Sequence, residues 1–496
     1  MRFRRDRRGF IFSFDASLAI LVVFAIMVGI VRVGGAGQMY EQHGYLRLER
    51  YANDALEVMD VLQILDNVVR SLEYGDNASA ENLARTYLRK ILPNDIQFKF
   101  VVGDNLLTVY PTSAAGWGSA FSAAEEVATA VRMSTYWDGT NWSIQTVDNA
   151  GNVGQYTSIA LDRSGYPHIS YYSAPPSANL KYARWTGLGW AAWVVQSTYD
   201  VGKYTSIALD NRDYAHISYY NDTSDDLRYA YWNGDAWAYR GTSWSVDTGG
   251  SVGQYTSLAL DNNGYACISY YYNTGGDLKY TRWNGSQWVK ANGTPGFETV
   301  DSVGNVGLYT SIALDNSGYA RISYYDATNG HLKYARQTGS SSWDIQTVDS
   351  AENVGAYTSI ALDSSWRPHI SYYDNANKDL KYARWTGSAW SIQTVDSVGF
   401  VGMYTSIDLD ENGNPHISYF ADVINDLKYT RWDGRSWRTT TVDSANNVGQ
   451  YTSLALVSGG YPHISYYDAT NGDLKYARSL WQFAPITLYV WRGSSI

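Results

Sequence analysis

A single cysteine, Cys267, stands among the 496 residues, so no disulfide can form within the chain and cysteine usage says little about redox compartment. Charged residues make up only 17% and the formal net charge is -10, which argues against a nucleic-acid partner. Glutamate is almost missing from residues 141 to 480, where Glu298, Glu352 and Glu411 stand alone, so a paired-carboxylate glycosidase has little to work with. There is no sialidase-like arginine cluster, no nucleophile beside an obvious base and no phosphate-cradling loop. The reading is therefore no enzyme, no cofactor and no metal.

What the chain has instead is a repeat rich in tyrosine. The segment from Val306 to Arg336, which begins Val-Gly-Leu-Tyr-Thr-Ser-Ile-Ala-Leu-Asp, recurs with its opening tyrosine at Tyr156, Tyr204, Tyr255, Tyr309, Tyr357, Tyr404 and Tyr451. Spacings of 47 to 54 residues match a propeller blade, the two longer ones falling in copies two and three. Within a copy the alternation has period two through four runs, separated by Asn- and Gly-rich hairpin turns, so each copy predicts four short strands, A to D. One D run, Asn141 to Asp148, precedes the first A, and none comes after the last C. Pairing that run with the last C closes a seven-bladed ring and leaves no sheet edge at the junction. The fold class is mainly β, a seven-bladed β-propeller over residues 138–480.

Five arginines lie within residues 1 to 8, ahead of an apolar run, Phe10 to Val33, long enough to cross a hydrocarbon core of roughly 30 Å. The arginines predict a cytoplasmic N-terminus and a propeller displayed outside the cell. Asp15 is out of place in that run unless it finds a partner or stays wet near the interface. Arg7-Arg8-Gly9, Phe10, Asp15 and Ser17-Leu-Ala-Ile-Leu-Val-Val-Phe resemble the start of archaeal type IV pilin-like surface proteins, with a short basic leader, a glycine and an apolar helix carrying an acid near its start. The resemblance implies cleavage after Gly9, a role for Asp15 in assembly, and other pilin-like subunits as partners alongside the membrane bound through residues 10–33.

Residues 34–137 read as a pilin-like stalk of small α+β type. Its apolar steps predict an amphipathic helix over 39 to 73, a shorter one over 80 to 92 with Ser79 as N-cap and Pro93 as stop, and a hairpin of Ile96 to Val101 with Leu106 to Tyr110. The strand-like ends of residues 125–137 and of residues 481–496 lie either side of the propeller in sequence, so the propeller is expected to be an insertion between neighbouring stalk strands.

The residue opening strand B is His168, His216, Cys267, Arg321, His369, His416 and His463 in successive copies. Ring symmetry would hold these apart, so the expectation is structural bonding to nearby backbone, as in WD-type propellers, which the blades resemble in architecture though not in motif. Strand-C lysines such as Lys181, Lys333 and Lys475 read as solvated, the Trp185/Trp190 and Trp385/Trp390 pairs as cross-strand packing, and the loop aspartates as Asx caps. The candidate ligand site is the ring of opening tyrosines, Tyr156 to Tyr451, at the channel mouth on the D–A and B–C side, with Tyr309, Tyr357 and Tyr404 as a contact group for an extracellular glycan or protein. Adhesion or recognition is the expected function; the alternatives are a filament subunit with the propeller as spacer or coat, and a carbohydrate-active enzyme. Residues that break the repeat, Arg321, Cys267, Trp366-Arg367, Asp408, Pro175-Pro176 and Ala421 to Ile424, look scattered.

Overall fold

In blade one, strand A is Val153–Leu161, B is Pro167–Ser173, C is Asn179–Trp185 and D is Trp190–Gln196, hydrogen-bonded in that order and antiparallel. The burial pattern tracks the sequence. Strand B is buried at all seven positions because both its faces meet neighbouring sheets, while the middle of strand D is exposed. The A–B turn is closed by Asp162, whose Oδ1 accepts the backbone N–H groups of Ser164 and Tyr166 at 2.8 Å each, an Asx cap on a tight turn.

A computed structural model describes residues 38–61, 64–73, 77–103, 107–111, 124, 127–136, 141–340, 342–480 and 482–492. Among these residues the same four-stranded sheet recurs seven times in a propeller-like arrangement. In the second and third sheets strand D is broken, into Trp237–Ala238 and Ser245–Asp247 and into Trp288–Val289 and Glu298–Asp301, which accounts for the two long spacings. Strand Trp142–Asp148 pairs with Asp473–Ser479, so the first run of the repeat region completes the last sheet. Leu480 N–H donates to Asn141 C=O at 2.9 Å, which sets the two ends of the repeat region side by side.

The core sits between sheets. Leu180 and Tyr182 of one blade pack with Val201, Ile207, Ile217 and Tyr219 of the next, and Leu474 and Tyr476 of the last blade pack with Val153, Ile159 and Ile169 of the first. Two polar ladders tie each strand A to the preceding blade. The Thr after each opening tyrosine donates to the strand-B Ser of the preceding blade, from Thr157 to Ser465 (2.8 Å) through Thr452 to Ser418 (2.9 Å), and the next Ser accepts a backbone N–H of the succeeding blade, as Ser158 does from Ile207 (3.2 Å). Tyr-Thr-Ser-Ile is thus a joint between blades. The glycine two residues earlier permits the close approach: at Gly307, with φ +103°, an added Cβ would lie 2.7 Å from Leu278 Cα.

The chain divides into two compact units, one essentially Thr135–Phe483 and the other drawn from the residues before and after it. The second unit has helices α1 (Gln38–Val61), α2 (Ile64–Glu73) and α3 (Asn77–Ile91), so residues 39–73 form two helices, and the third begins before Ser79. Its sheet runs β2 (Leu107–Val109), β1 (Ile96–Val102), the C-terminal strand Gln482–Arg492, then β3 (Ala128–Tyr136). The repeat region therefore lies in sequence between two neighbouring strands of this sheet, as an insertion requires. Among the described residues no helix is long and apolar enough to cross a membrane. The basic leader 1–9, the apolar segment 10–33 and the residues Gly9 and Asp15 lie outside the described residues.

Candidate functional site

All seven opening tyrosines come together. Each sits on a bulge of strand A with φ between +52° and +54°, a region costly for a residue with a Cβ, and the bulge turns its ring to the central axis. Ring centroids of Tyr156, Tyr204, Tyr255, Tyr309, Tyr357, Tyr404 and Tyr451 stand 4.6 to 4.7 Å from their neighbours in a closed cycle. Interplanar angles of 45° to 55° match a seventh of a turn, about 51°, so the rings stand upright along the axis. Each has an aromatic neighbour on either side and strand-B aromatics such as Tyr172 or Phe420 behind it. Partly buried by one another, the seven tyrosines and the threonines that follow them line a cavity of about 190 Å³.

The strand-B histidines bond to side chains, not to backbone. Nδ1 of His168, His369 and His463 lies 2.6 Å from the hydroxyls of Tyr182, Tyr382 and Tyr476, and His216 and His416 meet Tyr229 and Tyr429 in the same way. Nε2 of His168, His216, His369 and His416 faces the A–B turn aspartate at 3.6 to 3.9 Å. Burial pushes His216, His369 and His463 down to about 4, so these imidazoles are neutral spacers near pH 7. In blade four Arg321 takes the histidine's place and pairs with the same aspartate, Asp315, at 2.6 Å.

The strand-C lysines are not solvated. Lys333 and Lys381 lie 2.5 Å from Asp301 and Asp349, the aspartates ending strand D of the preceding blade, with only 12% of each lysine side chain exposed. The same Oδ2 accepts the strand-B hydroxyl, Tyr324 at 2.7 Å and Tyr372 at 2.8 Å, while Oδ1 caps its own turn. Asx capping is therefore half of the role. Between blades one and two the aspartate is Gln196 and the lysine is Arg228, joined at 3.1 Å.

The breaks in the repeat are less scattered than they look. On the A–B and C–D side, a cavity of about 470 Å³ opens between blades one and two, lined by Trp193, Tyr182 and Arg184 from one blade and by Arg212, Tyr214, Trp232 and Trp237 from the next. Trp193 is the decisive break. At its strand position three other blades use Gln145, Gln346 and Gln393, each accepting an indole N–H from the next blade, as Gln346 does from Trp390 at 3.0 Å; Glu298 accepts Trp343 in the same way in blade three, and blade six has Thr440. Trp193 instead lies stacked on Tyr182 at 5.9 Å, carries the Arg184 guanidinium over its ring at 5.7 Å, and remains 42% exposed. Arg163 clamps Asp213 through two side-chain bonds of 2.9 and 3.1 Å, tying together the A–B loops of the two blades. A second groove, between blades four and five, gathers Arg321 with Trp366 and Arg367, three of the apparently scattered breaks.

Neither groove was visible in the sequence as a site. The signals are Trp193 where three other blades have Gln, and Asp213 and Trp366 where the A–B turn of the other five blades has Gly. Asp408, where six blades have Ala, faces a cavity lined by strand-A residues of several blades. Half-buried, with Oδ1 and Oδ2 accepting N–H from Leu409 (2.8 Å) and Leu456 (2.9 Å), its carboxyl is pushed up to about 6 by desolvation.

No family model and no curated protein matches this chain. Among solved structures, a polysaccharide lyase described as an ulvan lyase is similar at 13% identity over 70% of this chain and 96% of its own, TM-score 0.46. A six-bladed β-propeller fucose-recognising lectin from Aleuria aurantia is similar at 13% identity over 61% and 99%, TM-score 0.39. A protein of unknown function from Dyadobacter fermentans is similar at 9% identity over 72% and 98%, TM-score 0.41.

Proposed function

We propose that this chain is a membrane-anchored, pilin-like surface protein whose seven sheets form one closed propeller, and that it recognises a saccharide in the groove between blades one and two. The observation that carries the reading is Trp193, a half-exposed aromatic platform standing where three other blades place a blade-joining Gln. An aromatic face beside polar donors suits a sugar ring, which is apolar on one face and hydroxylated at its rim. Arg184 and Arg212 supply donors, and Trp232 and Trp237 form a second wall.

Recognition is favoured over catalysis because the titratable groups there are already occupied. His168 is bonded to Tyr182 and held below its usual pKa by burial, Asp162 caps its turn, and Asp213 is clamped by Arg163. The surface location rests on the arginines before residue 9 and the apolar run 10–33.

The test is a saccharide panel titrated against the full chain and against Trp193→Gln, which introduces the residue that three other blades carry at this position. Loss of one stacking platform removes about 1 to 1.5 kcal/mol, so affinity is expected to fall about tenfold with folding intact. Unchanged binding in the variant would refute this site, and no binding to any saccharide would return the propeller to a spacer or coat.

A further inference from the structure

In six blades an aspartate opens the A–B turn, and the left-handed position before strand B is Gly165, Gly264, Gly318 and Gly413 in four of these and Gly460 in the tighter turn of the seventh blade, with φ of 74° to 80°. Only blades two and five place side chains there, Asp213 at φ +63° and Trp366 at φ +60°. Trp366 is held there at a cost on the order of 1 to 3 kcal/mol, as the seven opening tyrosines are on their bulges, but at a position that five blades keep as Gly. These two blades are also the ones whose A–B loops wall the two grooves. In blade five the departure from Gly puts an indole and the neighbouring Arg367 into the wall of the second groove.

We propose that the groove between blades four and five is a second, independent binding site, for a saccharide unit bearing a carboxylate or a sulfate. This groove, of about 310 Å³, offers two indole faces, Trp366 and Trp385. Trp366 is 42% exposed. Three arginines meet two carboxylates in and beside it. Arg321 is held by Asp315 at 2.6 Å, with 12% and 9% of their side chains exposed, and stays a wall. Arg336 pairs with Asp344 at 3.0 Å on the surface, 46% and 37% exposed, and an ion pair so exposed is weak enough to exchange for a ligand. Arg367 has no carboxylate partner among the described residues, and a Cβ added at Gly387, on the C–D turn of blade five, would lie 4.0 Å from its Nη2. An excess guanidinium beside two aromatic faces suits a planar oxyanion carried on a sugar ring.

The site goes beyond the groove between blades one and two and does not depend on it. Three blade steps separate them around the ring, and both open on the A–B and C–D side. One chain would then hold a charged polysaccharide at two points, with the gain in avidity that linked sites give.

The test uses the full chain with three probes of equal length, a glucuronate oligomer, a sulfated oligosaccharide and a neutral glucose oligomer. The double variant Trp366→Gly, Arg367→Tyr restores the Gly-Tyr that blades one, three, four and seven carry. It relieves the turn, so its melting temperature is expected to hold or rise while affinity for at least one anionic probe falls tenfold or more and weakens further with added salt. Trp193→Gln should leave that affinity unchanged. If both anionic probes fail to bind, bind equally well to the double variant, or bind no better than the neutral oligomer, the second site is wrong. Loss of anion binding in the double variant, with no effect of Trp193→Gln on any saccharide, would sink the first groove and leave the second standing.

Discussion

Asp408 illustrates what one residue can add against its repeat. Its folded pKa of about 6 lies above the ordinary carboxyl value, so the folded chain holds the proton more tightly than the unfolded one. Stability from this group is therefore greatest at low pH and is lost as pH rises from about 4 through 6. Asp408→Ala, the residue of the other six blades, is expected to raise the melting temperature at pH 7.5, with the gain shrinking towards pH 4; a gain independent of pH would contradict the assignment. The position was legible as a break, but its environment was not, because burial inside the ring depends on all the blades. The histidines teach the same lesson. A spacing of thirteen or fourteen residues to a strand-C tyrosine was present in five copies, yet only the B–C register, His168 opposite Arg184 with Tyr182 two residues before it, brings the hydroxyl to Nδ1.

Strands and turns were the most legible layer, because period-two alternation and Asn-Gly turns are local signals. The joints between blades were not, since they link side chains from separate repeats. In the latches of Asp301, Asp349 and Asp396 burial alone would raise the carboxyl pKa, but the lysine, the tyrosine and a backbone N–H more than offset it, so all three are lowered. A depressed folded pKa stabilises above the unfolded value and is lost as pH falls through the folded one. The ring is expected to lose stability below about pH 4, by several latches at once. Asp349→Asn should cost about 1.5 to 3 kcal/mol at pH 7 and reduce that acid sensitivity, as read by thermal melts across pH 3 to 7. An unchanged melting temperature at neutral pH would mean that Lys381 is not held by this carboxylate.

For the molecule as a whole, the repeat count, the completed last sheet and the insertion between neighbouring strands could all be reasoned from the sequence, because each is a matter of counting elements. The grooves could not. They are made where two blades meet, by Trp193 with Tyr214 and by Arg321 with Trp366, residues far apart in sequence that the ring alone makes neighbours. At the other end of the chain, the proposed processing after Gly9 gives a mature N-terminus at Phe10, to be read by mass spectrometry of protein from its native host; intact Met1 would leave an unprocessed anchor. The most direct check on where recognition occurs is a hydroxyl-radical footprint of the full chain with and without a bound saccharide from the panel. Protection of Trp193 and Tyr214, with the tyrosine ring unchanged, is the predicted result, whereas protection of Tyr309, Tyr357 and Tyr404 with Trp193 still reactive would place recognition at the channel mouth and contradict the account.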